Sequence, residues 1–307
     1  MIIASNCPLD NQHLSWYYGF KMESIDLTEA LGLFVADLQG RKCSSNTVLA
    51  YQTDIKQLIA ALNKEGISHP AAVNRPTLDK VKALYEKQGY TGKSISRKLN
   101  SYRTFFTFLK NRGVTPQDPT AGIVYPKTEL QPPRILTQIE YRALRDAVRD
   151  NHRLAAIVEV LLQAGLRISE LSNLELGDIK EDSLVVRAYE SQQTRTVPLN
   201  LPAKEALNRY LAERPKSKIQ NVFITANGRK FLIRNIREVI KRYLLSASIK
   251  DASVNDLRHT FVAHHLAAGV PLPELAKIVG HKRLSTTEKY LKFVKVSSKK
   301  PTKLGEL

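Results

Sequence analysis

The apolar positions of this chain fall into two regimes with a run of prolines between them. In the first, they recur at helical spacing. Ile95, Leu99, Tyr102, Phe106 and Leu109 advance by 4, 3, 4 and 3 residues, the stripe of an amphipathic helix. Leu31, Phe34 and Leu38 behind a Thr28 cap predict a helix. Tyr51, Ile55, Leu58 and Leu62 behind the Ser44-Ser45-Asn46 cap cluster predict another, and Val81, Leu84 and Tyr85 from about Thr77 a third. Residues 1–22 show no period and read as an arm. The second regime is mixed. A helix from about Thr137 leads into one over 151–164, stopped by Gly165. Leu184-Val185-Val186-Arg187 and Thr194–Leu199 read as two short strands around a polar turn. Helices follow near 203–213, 234–249, 255–268 and 273–279, the last two ending at Gly269 and Gly280. A final short helix is expected from Ser285, where Ser285-Thr286-Thr287-Glu288 has the form of a capping box.

Pro116, Pro119, Pro126, Pro132 and Pro133 lie between Gly113 and Arg134, five of the chain's 14 prolines. They remove backbone donors and bias the residues before them away from helix, so this stretch reads as an extended linker. With 307 residues, two cores are expected rather than one. The expected fold is mainly α with a small antiparallel β-sheet. Its parts are an arm over 1–22, a helical domain over 23–112, a linker over 113–133, a mixed domain over 134–290 and a lysine-bearing tail over 291–307.

Charge narrows the partners. Lys and Arg number 47 against 29 Asp and Glu, a net +18, and the polyanion such a surface meets is nucleic acid. The clearest N-terminal helix carries Lys93, Arg97, Lys98, Arg103 and Lys110 off its apolar stripe. These are candidate DNA-backbone contacts, since phosphates require only positive charge at groove spacing. Two cysteines, Cys7 and Cys43, build neither a disulfide framework nor a four-ligand zinc site, and the histidines offer no metal-ligand trio. No apolar run approaches the ~20 residues a bilayer span needs, and no secretion signal is recognisable. A cytoplasmic, DNA- or RNA-facing protein without metal or cofactor is expected.

Four segments of the second half carry chemistry together: Gly165-Leu166-Arg167-Ile168-Ser169-Glu170-Leu171, Asn255-Asp256-Leu257-Arg258-His259-Thr260-Phe261, Val279-Gly280-His281, and Thr286-Thr287-Glu288-Lys289-Tyr290. In this order and at these intervals the set resembles the tyrosine recombinase (phage integrase) family, in its Xer-type and integrase-type members. The likeness covers roughly residues 23–295. It implies a helical core-binding, SAM-like domain and a tyrosine recombinase catalytic domain closing as a clamp on double-stranded DNA. It also implies a homo-tetramer on synapsed sites and a C-terminal tail docking on a neighbouring protomer. By the same resemblance Arg167 and Arg258 clamp the scissile phosphate, His281 donates to a non-bridging oxygen, and Tyr290 attacks. The product is a 3′-phosphotyrosyl link and a free 5′-hydroxyl, made without metal or ATP. The residue types suit the task. Guanidiniums give paired, permanently charged donors, and a phenol of pKa about 10 needs cationic neighbours to act as a nucleophile. Glu170, three residues on from Arg167, can hold that guanidinium in place. His259 reads as packed beside the site, and His264 and His265 as helix-surface residues.

Two positions depart from the family pattern. Asn255 opens the box where the family has His, and an amide hydrogen-bonds phosphate but shuttles no proton. The family's general-acid lysine falls at about Glu190, and no lysine occurs between Lys180 and Lys204. Either Arg187 or Arg195 takes its place, or Lys180 reaches in, or the enzyme is slow or inert. The alternatives are accordingly a catalytically silent DNA-binding or architectural protein on this fold, and a type IB topoisomerase-like strand relaxase. The target site and the mobile element served cannot be read from the chain.

Overall fold

A computed structural model describes residues 25–127, 132–188, 193–295 and 305–307. The chain divides into two compact units, residues 1–130 and 131–307, each with its own apolar core.

The first unit holds four helices among its described residues: α1 (Leu27–Gly40), α2 (Ser45–Lys64), α3 (Arg75–Lys87) and α4 (Gly92–Asn111). Ser44, Asn74 and Thr91 cap the last three through side-chain oxygens. Helix α1 is capped by Asp26, not Thr28. The Asp26 carboxylate accepts from the Thr28 and Glu29 backbone N–H groups, both at 2.7 Å, and Glu29 returns a bond to the Asp26 N–H. A carboxylate two residues earlier satisfies more orphan donors, and suits the positive end of the helix better, than a threonine hydroxyl. The stripe read on α4 is the core: Ile95, Leu99, Tyr102, Phe106 and Leu109 are all buried, around Phe34. The Phe34 ring makes edge contacts with Tyr51 and Phe105. Val114 and Ile123 also join this core, so the early part of the proline-rich stretch is packed on the first unit rather than extended.

One of the basic residues assigned to the DNA face, Lys98, is corrected by the structure. Lys98 is buried, at 2% exposure, with its Nζ donating to Gln57 and to the fully buried Asp54 (3.2 Å) and lying over the Tyr85 and Tyr90 rings. Arg97 is exposed at its edge but also bonded to Asp54, which accepts from Ser101 as well at 2.8 Å. A carboxylate taken out of water must be paired, and it draws Lys98 inward while Arg97 reaches it from the exposed side. Lys93, Arg103 and Lys110 remain on the exposed side.

In the second unit, α5 (Gln138–Val148), α8 (Leu201–Glu213) and α10 (Val254–Ala267) pack on α6 (His152–Ala164), and α9 (Ile233–Ser246) packs on α5 and α10. Helix α6 is apolar on nearly every face, the composition of a helix buried all round. Strands β1 (Ser183–Val186) and β2 (Arg195–Pro198) pair antiparallel, Leu184 opposite Val197, and Leu184, Val186 and Val197 turn inward. The turn residues 189–192, Glu190 included, lie outside the described residues. A short α7 (Ile168–Asn173) follows α6, and α11 (Leu272–Val279) and α12 (Leu284–Glu288) close the described helices. The capping box read at Ser285–Glu288 is not formed. Helix α12 starts a residue earlier behind Arg283, placing Ser285 inside it, and gives way to a 3-10 turn over Lys289–Lys292. That turn is held by Tyr290, which packs into a small core of Phe261, Leu266, Leu275 and Val279. Leu307 returns to α6, where its N–H and carbonyl bond the Gln163 amide, each at 3.2 Å. No described helix is long and apolar enough to cross a membrane.

Candidate active site

Helix α6 ends at Gly165 in the left-handed region, φ 57°. A methyl group there would sit 2.4 Å from the Phe261 ring, so only glycine lets the chain turn sharply against α10. The turn delivers Arg167 as the N-cap of α7, with Glu170 at its third position. One Glu170 oxygen accepts from the Arg167 backbone N–H and the other from its guanidinium, both at 2.8 Å. The i, i+3 pair read from the sequence is therefore a bonded one. Its second half was not foreseen: Arg195 on β2 lies bidentate on the same carboxylate at 2.8 and 2.7 Å. Burial by itself would push the Glu170 carboxyl up. The ion pair with Arg195, supported by Arg167, outweighs it and holds the group at about 2.

The C-terminus of α11 organises the rest. Its last carbonyls have no helical partners and carry the negative end of the helix dipole. Three guanidiniums take three consecutive ones: Arg195 donates to Ile278 at 2.7 Å, Arg258 to Val279 at 2.6 Å and Arg167 to Gly280 at 2.7 Å. Arg167 also reaches the Val279 carbonyl at 3.5 Å, so two arginines from different helices share one acceptor. Gly280 allows this crowding with φ 67°, since a methyl group there would lie 2.9 Å from the Arg195 guanidinium. Burial, aided by the Arg167 cation, lowers Arg258 to about 9, which leaves it charged at neutrality. Arg195 keeps 7% of its side chain exposed and Arg167 29%, so Arg167 has the outward edge.

His281 follows Gly280 directly, and its Nδ1 bonds the buried Thr287 hydroxyl at 2.8 Å. Burial, then the neighbouring Arg258 and Arg167, lower His281 to about 3, so the imidazole is neutral. Tyr290 is 6% exposed. Burial raises its phenol above the usual 10, against the pull of Arg258. Its hydroxyl lies 2.5 Å from Nδ1 of His259, the residue after Arg258. Arg167, Arg258, His281 and Tyr290 are thus brought into one cluster. Asn255 stands exposed in the first turn of α10, one turn before Arg258.

Sequence reasoning placed Arg195 and His259 near the site without their partners and missed Thr287. Arg195 shows only as part of the strand ending Arg195-Thr196-Val197-Pro198-Leu199, Thr287 as half of a Thr-Thr pair, and His259 only as an arginine's neighbour. His265, read as a surface residue, is fully buried with neither ring nitrogen bonded, and burial lowers it to about 3. Of the substitutes weighed for the missing lysine, the two arginines are engaged elsewhere. Arg195 is held by Glu170, Arg187 pairs with Asp178 at 2.6 Å and with Glu175, and Lys180 is exposed ahead of β1.

Comparison with known proteins follows the same division of the chain. The model of the phage integrase family matches residues 134–295, and that of the phage integrase N-terminal SAM-like domain matches residues 31–113. The chain is 30% identical over 277 residues to the tyrosine recombinase XerC of Roseiflexus castenholzii, covering 85% of this chain and 87% of that one. The chain belongs to the phage integrase family, the site-specific tyrosine recombinases. Tyrosine recombinase XerC of Alcanivorax borkumensis is 32% identical over 282 residues, 87% of this chain and 90% of its own. Among solved structures, a lambda integrase dimer bound to a COC′ core site superposes with a TM-score of 0.76 at 15% identity, over 96% of this chain and 85% of that one, a likeness of fold. XerA recombinase matches at 26% identity with a TM-score of 0.50, over 86% of this chain and 93% of that one. Neither the silent DNA-binding reading nor the relaxase reading is favoured for this tyrosine recombinase.

Proposed function

We propose that this recombinase cuts and rejoins double-stranded DNA by transesterification at Tyr290. Arg167 and Arg258 hold the non-bridging oxygens of the scissile phosphate, where negative charge grows as the phenol attacks. The neutral His281 adds a donor from Nε2, its tautomer set by the Thr287 hydroxyl on Nδ1, and Asn255 offers an amide. The phenolic oxygen bonds to phosphorus, the 5′-oxygen leaves, and the ester conserves the bond energy, so rejoining needs neither ATP nor metal. The observation that carries this reading is the Val279 carbonyl, which accepts from both guanidiniums in the same cluster as the Tyr290 hydroxyl. One phosphate can replace that shared acceptor.

Lys93, Arg103 and Lys110 supply backbone contacts from the first unit, with Arg97 at its edge. Four protomers act on two synapsed sites, in the cytoplasm, in the service of a mobile element. A tetramer is the form in which a lambda integrase is seen bound to a Holliday junction. The test is a library of nicked duplexes with randomised sequence, from which covalent protein–DNA adducts are captured. A 3′-linked adduct that maps to Tyr290 and vanishes in Tyr290→Phe is expected. An adduct on another residue, or none from the library, would refute the assignment.

A further inference from the structure

The Tyr290 hydroxyl has a partner of its own. Its oxygen lies 2.5 Å from Nδ1 of His259, with ring centroids 5.8 Å apart and tilted by 43°. Helix α10 therefore presents two consecutive functional groups, the Arg258 cation and the His259 imidazole. Tyr290 is almost wholly enclosed, so bulk water is a poor alternative acceptor for its proton. His281 already commits its Nδ1 to Thr287.

We propose that His259 is a catalytic residue, the base that takes the phenolic proton of Tyr290 as its oxygen attacks the phosphate. Both partners are in the protonation states this requires. Burial lowers His259 below its ordinary 6.5, with Asp256 opposing and Arg258 assisting, so its ring is neutral at pH 7. Burial keeps the Tyr290 phenol protonated. The charged and titratable groups around the pair are Asp256 and Arg258 on the same helix and His281 beyond α11. The Asp256 carboxylate compensates the imidazolium that forms.

In the step, the Tyr290 O–H bond breaks and its proton passes to Nδ1 of His259. The oxygen bonds to phosphorus, and the P–O5′ bond breaks with its electron pair on the departing oxygen, which takes a proton from solvent water. In rejoining, the 5′-hydroxyl oxygen bonds to phosphorus and gives its proton back to solvent, while the phosphorus–oxygen bond to Tyr290 breaks and the imidazolium returns its proton to the phenolic oxygen.

The inference rests on Tyr290 as the nucleophile, and the experiment separates the two claims. Single-turnover adduct formation is measured on nicked DNA from pH 4.5 to 9 with the full chain, its Tyr290→Phe, His259→Gln and His259→Ala variants, and a duplex bearing sulfur at the bridging 5′ position. His259→Gln is expected to bind DNA as the parent does and to react about 10²-fold slower or worse. The parent's rise in rate with pH, which lies below 6.5, should disappear. The thiolate leaving group does not rescue the variant, because departure is not the impaired step. Added imidazole restores part of the His259→Ala rate, which a packing role would not allow, and this covers the case in which His259→Gln fails to fold. If Tyr290→Phe is inert while His259→Gln keeps the parent's rate and pH profile, the base is misassigned. So is it if His259→Ala folds, stays slow and ignores imidazole. If Tyr290→Phe still forms the adduct, the nucleophile itself is wrong.

Discussion

Glu170 is one carboxylate bonded to two arginines, and its replacement by glutamine tests how the cluster is held. The side chain is 2% exposed, bonded to Arg167 at 2.8 Å and Arg195 at 2.7 Å. Its carboxyl is held at about 2 against an ordinary 4.5, which corresponds to about 3 kcal/mol of folding stability at neutral pH. The folded-state value is the lower one. The contribution is therefore complete above pH 4.5 and is lost as pH falls through about 2; by pH 3 about half remains. In Glu170→Gln the amide turns an N–H toward donors and leaves buried guanidiniums without a counter-charge, a loss that costs about 3–5 kcal/mol in comparable pairs. Urea unfolding of the full chain followed by circular dichroism should show a deficit of about 3 kcal/mol at pH 7 that shrinks by about half at pH 3. Adding Arg195→Met to Glu170→Gln should recover part of it, since one uncompensated cation is removed. An equal deficit at both pH values, or one below about 0.5 kcal/mol at pH 7, would refute the account.

Further outcomes follow from the same geometry. Lys98→Met should leave the salt dependence of DNA binding unchanged, because Lys98 is buried against Asp54, whereas Lys93→Ala and Lys110→Ala should each lower the slope by about 1; a slope change in Lys98→Met would restore it to the DNA face. Gly280→Ala should cost about 1–2 kcal/mol for its left-handed backbone and slow adduct formation as the methyl group displaces Arg195; an unaltered melting temperature and rate would contradict this. Thr287→Val preserves volume but frees the His281 tautomer, so adduct formation should slow by about fivefold at unchanged DNA affinity; an unchanged rate would show that Thr287 does not orient His281.

Local pattern alone determined most of the elements. The stripe on the fourth helix, the cap clusters, and the glycines at 165 and 280 mark helices and their ends because apolar period and left-handed backbone are properties of a few adjacent residues. The four motifs identified Arg167, Arg258, His281 and Tyr290 because their order along the chain is itself the signal. Tertiary structure decided what depends on residues distant in sequence. Lys98 is a surface cation by its helix alone and becomes a buried one only because the fully buried Asp54, 44 residues away, sits opposite. Arg195, His259 and Thr287 have no signature of their own. They acquire roles where β2, α10 and α12 converge on the end of α11, whose unpaired carbonyls and buried carboxylate neighbour draw three guanidiniums together. Burial, which no linear pattern reports, then sets the charge on each group: cations on the arginines, neutral imidazoles, and a phenol that keeps its proton.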